Sequence, residues 1–350
     1  MELFVPGRIC LFGEHSDWAG GYRRINPNIE KGYTLICGTD QGIYASVQAW
    51  SGALQLSSVS PQGELHGPDT LALQPEILLQ VAREGGFWSY IAGTTYQVLQ
   101  QYPQVGGLQI HNYRTDLPVQ KGLSSSAAIC VLTARAFNQV YQLGLGIRQE
   151  MELAYQGEIT TPSQCGRMDQ GVAFGKRPVL MTFDGDQLET QPLKVARPVY
   201  LVIVDLGGHK DTHRILADLN RYYPQASDEI GQGVHDLLGA HNRRLVQQAS
   251  AALQAGDART LGNLMCTAQA IFDRYAIPAC PSELKSPLLH QVLADPRLQA
   301  LTWGGKGVGS QGDGTAQFVA RSREDQACLI ETVGQKLGMK AFPLTINGVG

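Results

Sequence analysis

From Gly122 the chain reads GLSSSAAICVLTARAF, and no other stretch restricts its folding so closely. Upstream, GLQIHNYRT alternates as a strand does. Downstream, Ala127, Val131, Leu132, Ala136, Val140 and Tyr141 recur at helical spacing. The change of period falls on one glycine and three serines, which predicts a helix starting there. Its first backbone amides then have no intrahelical partner and lie at the positive end of the helix dipole. Gly122 allows close approach of the backbone, while the small Ser124, Ser125 and Ser126 leave room for a phosphate; a hydroxyl is also a usable Mg²⁺ ligand. Taken alone, three serines in this position are more often an N-cap with spare neighbours.

The chain has 350 residues, which by the usual ~100–200 residues per domain predicts two domains. We place the boundary within Gly185 to Tyr200, giving 1–190 and 191–350. Lys and Arg number 28 against 31 Asp and Glu, a net charge of −3 without basic runs, which argues against nucleic acid or a membrane surface as partner. Seven scattered cysteines with no C-x-x-C argue against a disulfide framework or a zinc cluster, and point to a reducing cytoplasm. No charged leader with a long apolar run opens the sequence, and apolar runs such as YLVIV fall far short of the ~18 residues of a membrane span. A monomer or homodimer is expected.

Along the chain, LFVPGRICLF reads as strand and turn running into a polar loop at Glu14 to Gly21, and QGIYASVQAW with GALQLSSV alternates like a hairpin. IRQEMELAYQGEI reads as a helix ended by Thr160, Thr161 and Pro162, and RPVLMTFDGDQLETQPL as a hairpin turning at Asp184-Gly185. RPVYLVIVDLG is a buried strand, and residues 212–272 are mainly helical. A glycine-rich loop then precedes the strand Ala316 to Ala320, followed by a helix and a last strand, KAFPLTI.

Four stretches carry chemistry: PGRICLFGEHSDWAGG, the central loop from Pro118 through Gly122-Leu123-Ser124-Ser125-Ser126-Ala127, CGRMDQG, and GVGSQGDG. Together and in this order they resemble the GHMP kinase superfamily, and within it galactokinase is the nearest likeness. That resemblance implies an α+β fold with an N-terminal domain like the second domain of ribosomal protein S5 and a ferredoxin-like C-terminal domain, with ATP and substrate in the cleft between them. It implies ATP-dependent phosphorylation of a hydroxyl of a free sugar or sugar acid, most simply the anomeric one, with Mg²⁺ bridging the phosphates. Under it, Glu14, His15 and Asp17 hold sugar hydroxyls, and Asp169 accepts the proton of the attacking hydroxyl. Arg8 keeps that carboxylate ionised, and Ser126 and Glu158 hold the metal. Gly122, Leu123, Ser124, Ser125, Ser126 and Ala127 bind ATP, joined by Gly309 and Gly312 of the last motif.

That last motif also matches G-x-G-x-x-G, but a strand follows it instead of a helix, which excludes a dinucleotide-binding turn. Ser310, Gln311 and Asp313 interrupt the superfamily's run of glycines, and a carboxylate at Asp313 would repel phosphate or bind substrate or metal. HKDTHRILADLNRYYP resembles a galactokinase segment that sets a tyrosine against the sugar, without choosing between Tyr222 and Tyr223. Two alternatives remain open: a mevalonate-type isoprenoid kinase, and a catalytically silent sugar or ATP sensor.

Overall fold

The elements collect into two compact units that interleave along the chain, Met1–Arg8 with Gly38–Lys176 and Ile9–Cys37 with Arg177–Gly350. The computed structural model describes residues 1–60, 62–117, 122–163 and 165–348. Two strands run from one unit into the other: β1 (Glu2–Phe12) and the 19-residue β2 (Gly32–Trp50). The architecture is α+β.

In unit one, β3 (Ala53–Val59), β4 (Leu65–Ala72) and β5 (Gly107–Thr115) join β2 in the order β4-β3-β5-β2. The expected hairpin of β2 with β3 does not form. β5 lies between them, antiparallel to β2 (Val47 opposite Ile110) and parallel to β3 (Leu56 opposite Ile110). Gly107 makes this insertion possible, since a Cβ there would run into the backbone of Ala53. Along β3 burial alternates strictly, with Leu54, Leu56 and Ser58 inward, as a pleated strand with one core face requires.

The helix Ser89–Gln101 packs on the helices Ser125–Val140 and Ile147–Ile159. Gly93 and Gly157 carry no side chain at the crossing, because a Cβ at Gly157 would come within 2.5 Å of Thr94 Cα. Two backbones can therefore approach closely where the acidic end of the third helix is set.

Unit two holds β6 (Val179–Asp184) and β7 (Gln187–Pro192), a hairpin whose turn contains Gly185 at φ 62°. It also holds a four-stranded antiparallel sheet in the order β11-β8-β10-β9, made of β8 (Val199–Asp205), β9 (Thr302–Gly307), β10 (Thr315–Ala320) and β11 (Lys340–Ile346). β10 is buried at every position, and Val202, Val204, Ala316 and Phe318 share a core with Leu329 and Val333 of the helix Arg323–Leu337. The helix Ala258–Ala276 packs on β9. Helix starts here follow ordinary capping: Asp211, Asp228 and Asp257 each accept an amide from their own first turn. Among the described residues no helix is long and apolar enough to cross a membrane.

Candidate active site

The serine helix begins at Ser125, but its N-cap does not behave as a cap. Ser124 sits in left-handed backbone (φ 56°, ψ 49°) and makes no capping bond. Its Oγ donates instead to Asp169 Oδ1 at 2.7 Å. The first helical bond from this end runs from Ala128 N to Ser124 O at 3.0 Å, so the amides of Ser125, Ser126 and Ala127 have no helical carbonyl to reach. The hydroxyl that would have satisfied one of them has been assigned elsewhere. Pro118 of the same motif lies outside the described residues, as do residues 119–121.

Asp169 opens the 3₁₀ turn Asp169–Phe174. Its Oδ1 also pairs with the guanidinium of Arg8, whose residue is 4% exposed on β1. The backbone locks this partner in place: Arg8 N donates to Leu123 O at 2.9 Å, and a Cβ on the preceding Gly7 would sit 2.8 Å from that same oxygen. Two donors thus converge on Oδ1.

Glu158, at the end of the helix Ile147–Ile159, is buried. It accepts from Gln170 Nε2 at 2.8 Å, from Ser163 Oγ at 3.2 Å and from the Ser126 hydroxyl. Burial pushes its carboxyl above the usual carboxylate range, and these hydrogen bonds pull it back. None of these partners is a cation. A buried carboxylate beside a hydroxyl, held by neutral donors, suits a hard cation that takes its other ligands from phosphate and water, which describes Mg²⁺. Ser163 also bonds Tyr90, whose phenol is raised first by burial and then by the Glu158 charge. Gln170, Ser163 and Tyr90 escaped sequence reasoning, although Gln170 directly follows Asp169 in the third quoted motif.

In unit two, Glu14, His15 and Asp17 are all under a tenth exposed, so the EHSD stretch is not a solvated turn. Gly13 (φ 97°) allows the tight turn, since a Cβ there would strike the Tyr33 carbonyl. His15 Nδ1 accepts from Trp18 Nε1 at 3.2 Å, which leaves the ring hydrogen on Nε2, on the side of the Ser310 carbonyl. Burial, with a smaller contribution from the Lys210 charge, lowers its pKa to about 4, so the ring is neutral at pH 7. Ser16 between them is tied down by Asn242, whose Nδ2 donates to Ser16 Oγ and to Tyr33 O, each at 2.8 Å. A π-helical turn, Leu237–His241, precedes Asn242, and Leu238 O accepts from Ser16 Oγ at 3.4 Å. Tyr223, not Tyr222, is the ring that meets Trp18 of the motif, edge-on at 5.2 Å.

Glu14 has a partner no motif announced. Lys306, on β9 and 2% exposed, pairs with Glu14 Oε1 and donates to Gly307 O at 2.8 Å. The available signal was a lone lysine inside the strand WGGKG. Gly309 (φ 67°) and Gly312 (φ 75°) lie in the unit-two loop that follows, not in the unit of the serine helix. Gly312 packs on Lys210, whose Nζ donates to Gln311 O at 3.0 Å. Asp313 Oδ1 accepts from Leu289 N at 2.8 Å, in the first turn of the helix Pro287–Leu293.

Among the described residues, five non-glycine residues have positive φ: His15, Ser124, Gln142, Ser286 and Gln311. Three of the five fall in the quoted motifs. Such backbone persists only where surroundings enforce it, and it concentrates at functional positions.

Residues 89–176 match the family model for the GHMP kinases N terminal domain. The chain is 28% identical to a galactokinase of Pyrococcus furiosus over 206 residues, covering 58% of this chain and 52% of that protein. The match thus spans about half the length of that relative. Among solved structures, the fold superposes on Lactococcus lactis galactokinase in complex with galactose with a TM-score of 0.74 at 18% identity, covering 100% of this chain and 94% of that one. For L. major mevalonate kinase in complex with R-mevalonate the TM-score is 0.72, at 18% identity and coverages of 100% and 97%. For the Lin0012 protein of Listeria innocua it is 0.76, at 16% identity and coverages of 98% and 96%. At these identities the likeness is one of fold.

Proposed function

We propose that this chain is a GHMP kinase that transfers the γ-phosphoryl group of ATP to a hydroxyl of a free sugar, acting as a galactokinase-like sugar kinase; the match of residues 89–176 to the GHMP kinases N terminal domain and the fold shared with galactokinase support this reading. The observation that carries this reading is the convergence of Arg8, Ser124 and Asp169 beside the amides that open the serine helix and have no intrahelical partner. Amides at a helix start favour an anion, and the carboxylate next to them is held ionised by a guanidinium.

In the step itself, the acceptor oxygen attacks the terminal phosphorus, the bond to the bridging oxygen breaks, and ADP leaves. The acceptor proton passes to Asp169 Oδ2, while Oδ1 stays fixed by Ser124 and Arg8. Arg8 offsets negative charge on the group in transfer, and the amides of Ser125, Ser126 and Ala127 hold phosphate oxygens. Ser126 and Glu158 are the residues that would hold Mg²⁺, which neutralises charge between the phosphates when bound. Gly309 and Gly312 are proposed to line the nucleotide. Glu14, His15 and Asp17 are proposed to bind the acceptor, with His15 neutral and able to donate one hydrogen bond from Nε2. A sensor would need the binding groups but not the Arg8–Asp169 pair, which favours an enzyme.

The test is ADP release by the purified protein against hexoses, pentoses, uronic acids, heptoses, mevalonate and homoserine. Turnover on a sugar is expected. Activity confined to mevalonate or homoserine would overturn the sugar assignment.

A further inference from the structure

The loop after β9 departs from glycine at Gln311, and the departure carries two local costs. Gln311 holds left-handed backbone at φ 66°, which an L side chain rarely adopts. It is also 2% exposed, and its Oε1 has no hydrogen-bond partner among the described residues. Only its Nε2 is engaged, donating to Gly307 O at 3.3 Å. A buried acceptor without a donor is uncommon in native proteins and calls for an explanation.

The side chain lines a cavity of about 30 Å³ that lies wholly within unit two. Its other polar walls are Glu14, Lys306 and Asn242, and Leu237, Leu245 and Phe272 are among the apolar ones. A space of this size admits about one or two water-sized groups. Around it stand an unmatched amide oxygen, a carboxylate, and an ammonium that has used two of its three N–H groups on Glu14 and Gly307. A hydroxyl donates its one hydrogen to Gln311 Oε1 and accepts the remaining N–H of Lys306, while Glu14 keeps its ammonium partner. A carboxylate would present acceptors to acceptors, and a bare hydrogen or methyl would leave Gln311 and Lys306 unmatched.

We propose that Gln311 and Lys306 are specificity-determining residues that complete, with Glu14, a subsite for one neutral hydroxyl of the acceptor. The acceptor is accordingly a polyhydroxy compound presenting that hydroxyl on an arm no bulkier than hydroxymethyl, and not an acid presenting a carboxylate there. This rests on the reading of Glu14, His15 and Asp17 as the acceptor-binding group.

The experiment takes the alcohol that the wild-type enzyme phosphorylates fastest and compares it with its monodeoxy analogues, each lacking one non-reacting hydroxyl. At one position the wild type is expected to lose about 30-fold or more in kcat/KM, mainly through KM, because a polar site rejects the analogue that leaves its groups unpaired. Gln311→Met keeps the side-chain length and removes the acceptor, and should shrink that ratio to about threefold or less. If this variant does not fold, the pair Glu14→Gln with Lys306→Met, which removes both charges together, carries the same expectation. Turnover on a sugar with every deoxy ratio unchanged in the variant overturns the subsite alone. Turnover only on a non-sugar alcohol, with one ratio collapsing, upholds the subsite and overturns the sugar reading. No turnover on any alcohol overturns both.

Discussion

Replacing Lys306 by methionine should destabilise unit two sharply, and replacing Glu14 with it should restore most of the loss. The two side chains are 2% and 6% exposed and come from positions 292 residues apart, so neither has solvent to fall back on when its partner goes. Removing one member of a buried pair costs about 3–5 kcal/mol, because the other charge stays buried without compensation. Lys306→Met also forfeits the bond to Gly307 O, worth about 1 kcal/mol. In a unit of roughly 200 residues each kcal/mol moves Tm by about 2–4 °C, so a fall of about 10–20 °C is expected. Adding Glu14→Gln removes the stranded carboxylate, which should bring the double variant to within about 2 kcal/mol of the wild type. Urea unfolding followed by tryptophan fluorescence suits the measurement, since Trp18 and Trp303 both lie in this unit. Strictly additive losses, or a Lys306→Met protein as stable as the wild type, would refute the reasoning that the pair is buried and mutually compensating.

Three further outcomes follow from the same geometry. Asp169→Ala should lower turnover by about 10²-fold or more while acceptor binding, measured by calorimetry, is largely kept; unchanged turnover removes Asp169 from the proton step. Glu158→Gln preserves the hydrogen-bonding shape but not the charge, and should raise the Mg²⁺ concentration for half-maximal ADP release about tenfold or more, whereas an unaltered Mg²⁺ dependence excludes Glu158 as a ligand. His15 binds a proton less readily folded, with a pKa of about 4, than unfolded near 6.5. The unfolded state therefore takes up protons first as pH falls, so stability is unaffected above about pH 6.5 and is lost between there and pH 4. At pH 5 the contribution is about 2 kcal/mol relative to pH 7, and a His15→Gln protein should lack it; parallel pH profiles of the two in urea unfolding would count against a buried neutral ring.

Much of the candidate site was legible because its residues stand in short, contiguous runs. Gly122 to Ala127 announce a helix start through a change of period within a few residues, and Asp169 is marked by its immediate neighbours. The errors lie where a local pattern has more than one tertiary solution. QGIYASVQAW and GALQLSSV each alternate correctly, but alternation says which face of a strand is buried, not which strand lies beside it, and β5 took the place between them. The helix Ser89–Gln101 has little intrinsic helical character in SYIAGTTYQVLQQ, and it forms where packing buries Ile91, Ala92, Gly93, Thr94 and Thr95 together. Asp313 shows the converse. Its place in a glycine-rich motif suggested phosphate, substrate or metal, and no motif showed that its Oδ1 accepts the backbone amide of Leu289.

Backbone conformation and residue chemistry were thus set locally: the positive φ that Gly13, Gly309 and Gly312 permit, and the acids, hydroxyls and amides placed at the mouths of turns. Partnership was decided only by the folded chain. Ser124 bonds to Asp169 instead of its own helix, and Lys306 reaches Glu14 from the far end of the sequence. The physical reason is range. Backbone sterics act over a few residues, whereas the stability of a buried charge depends on whatever group the fold brings against it.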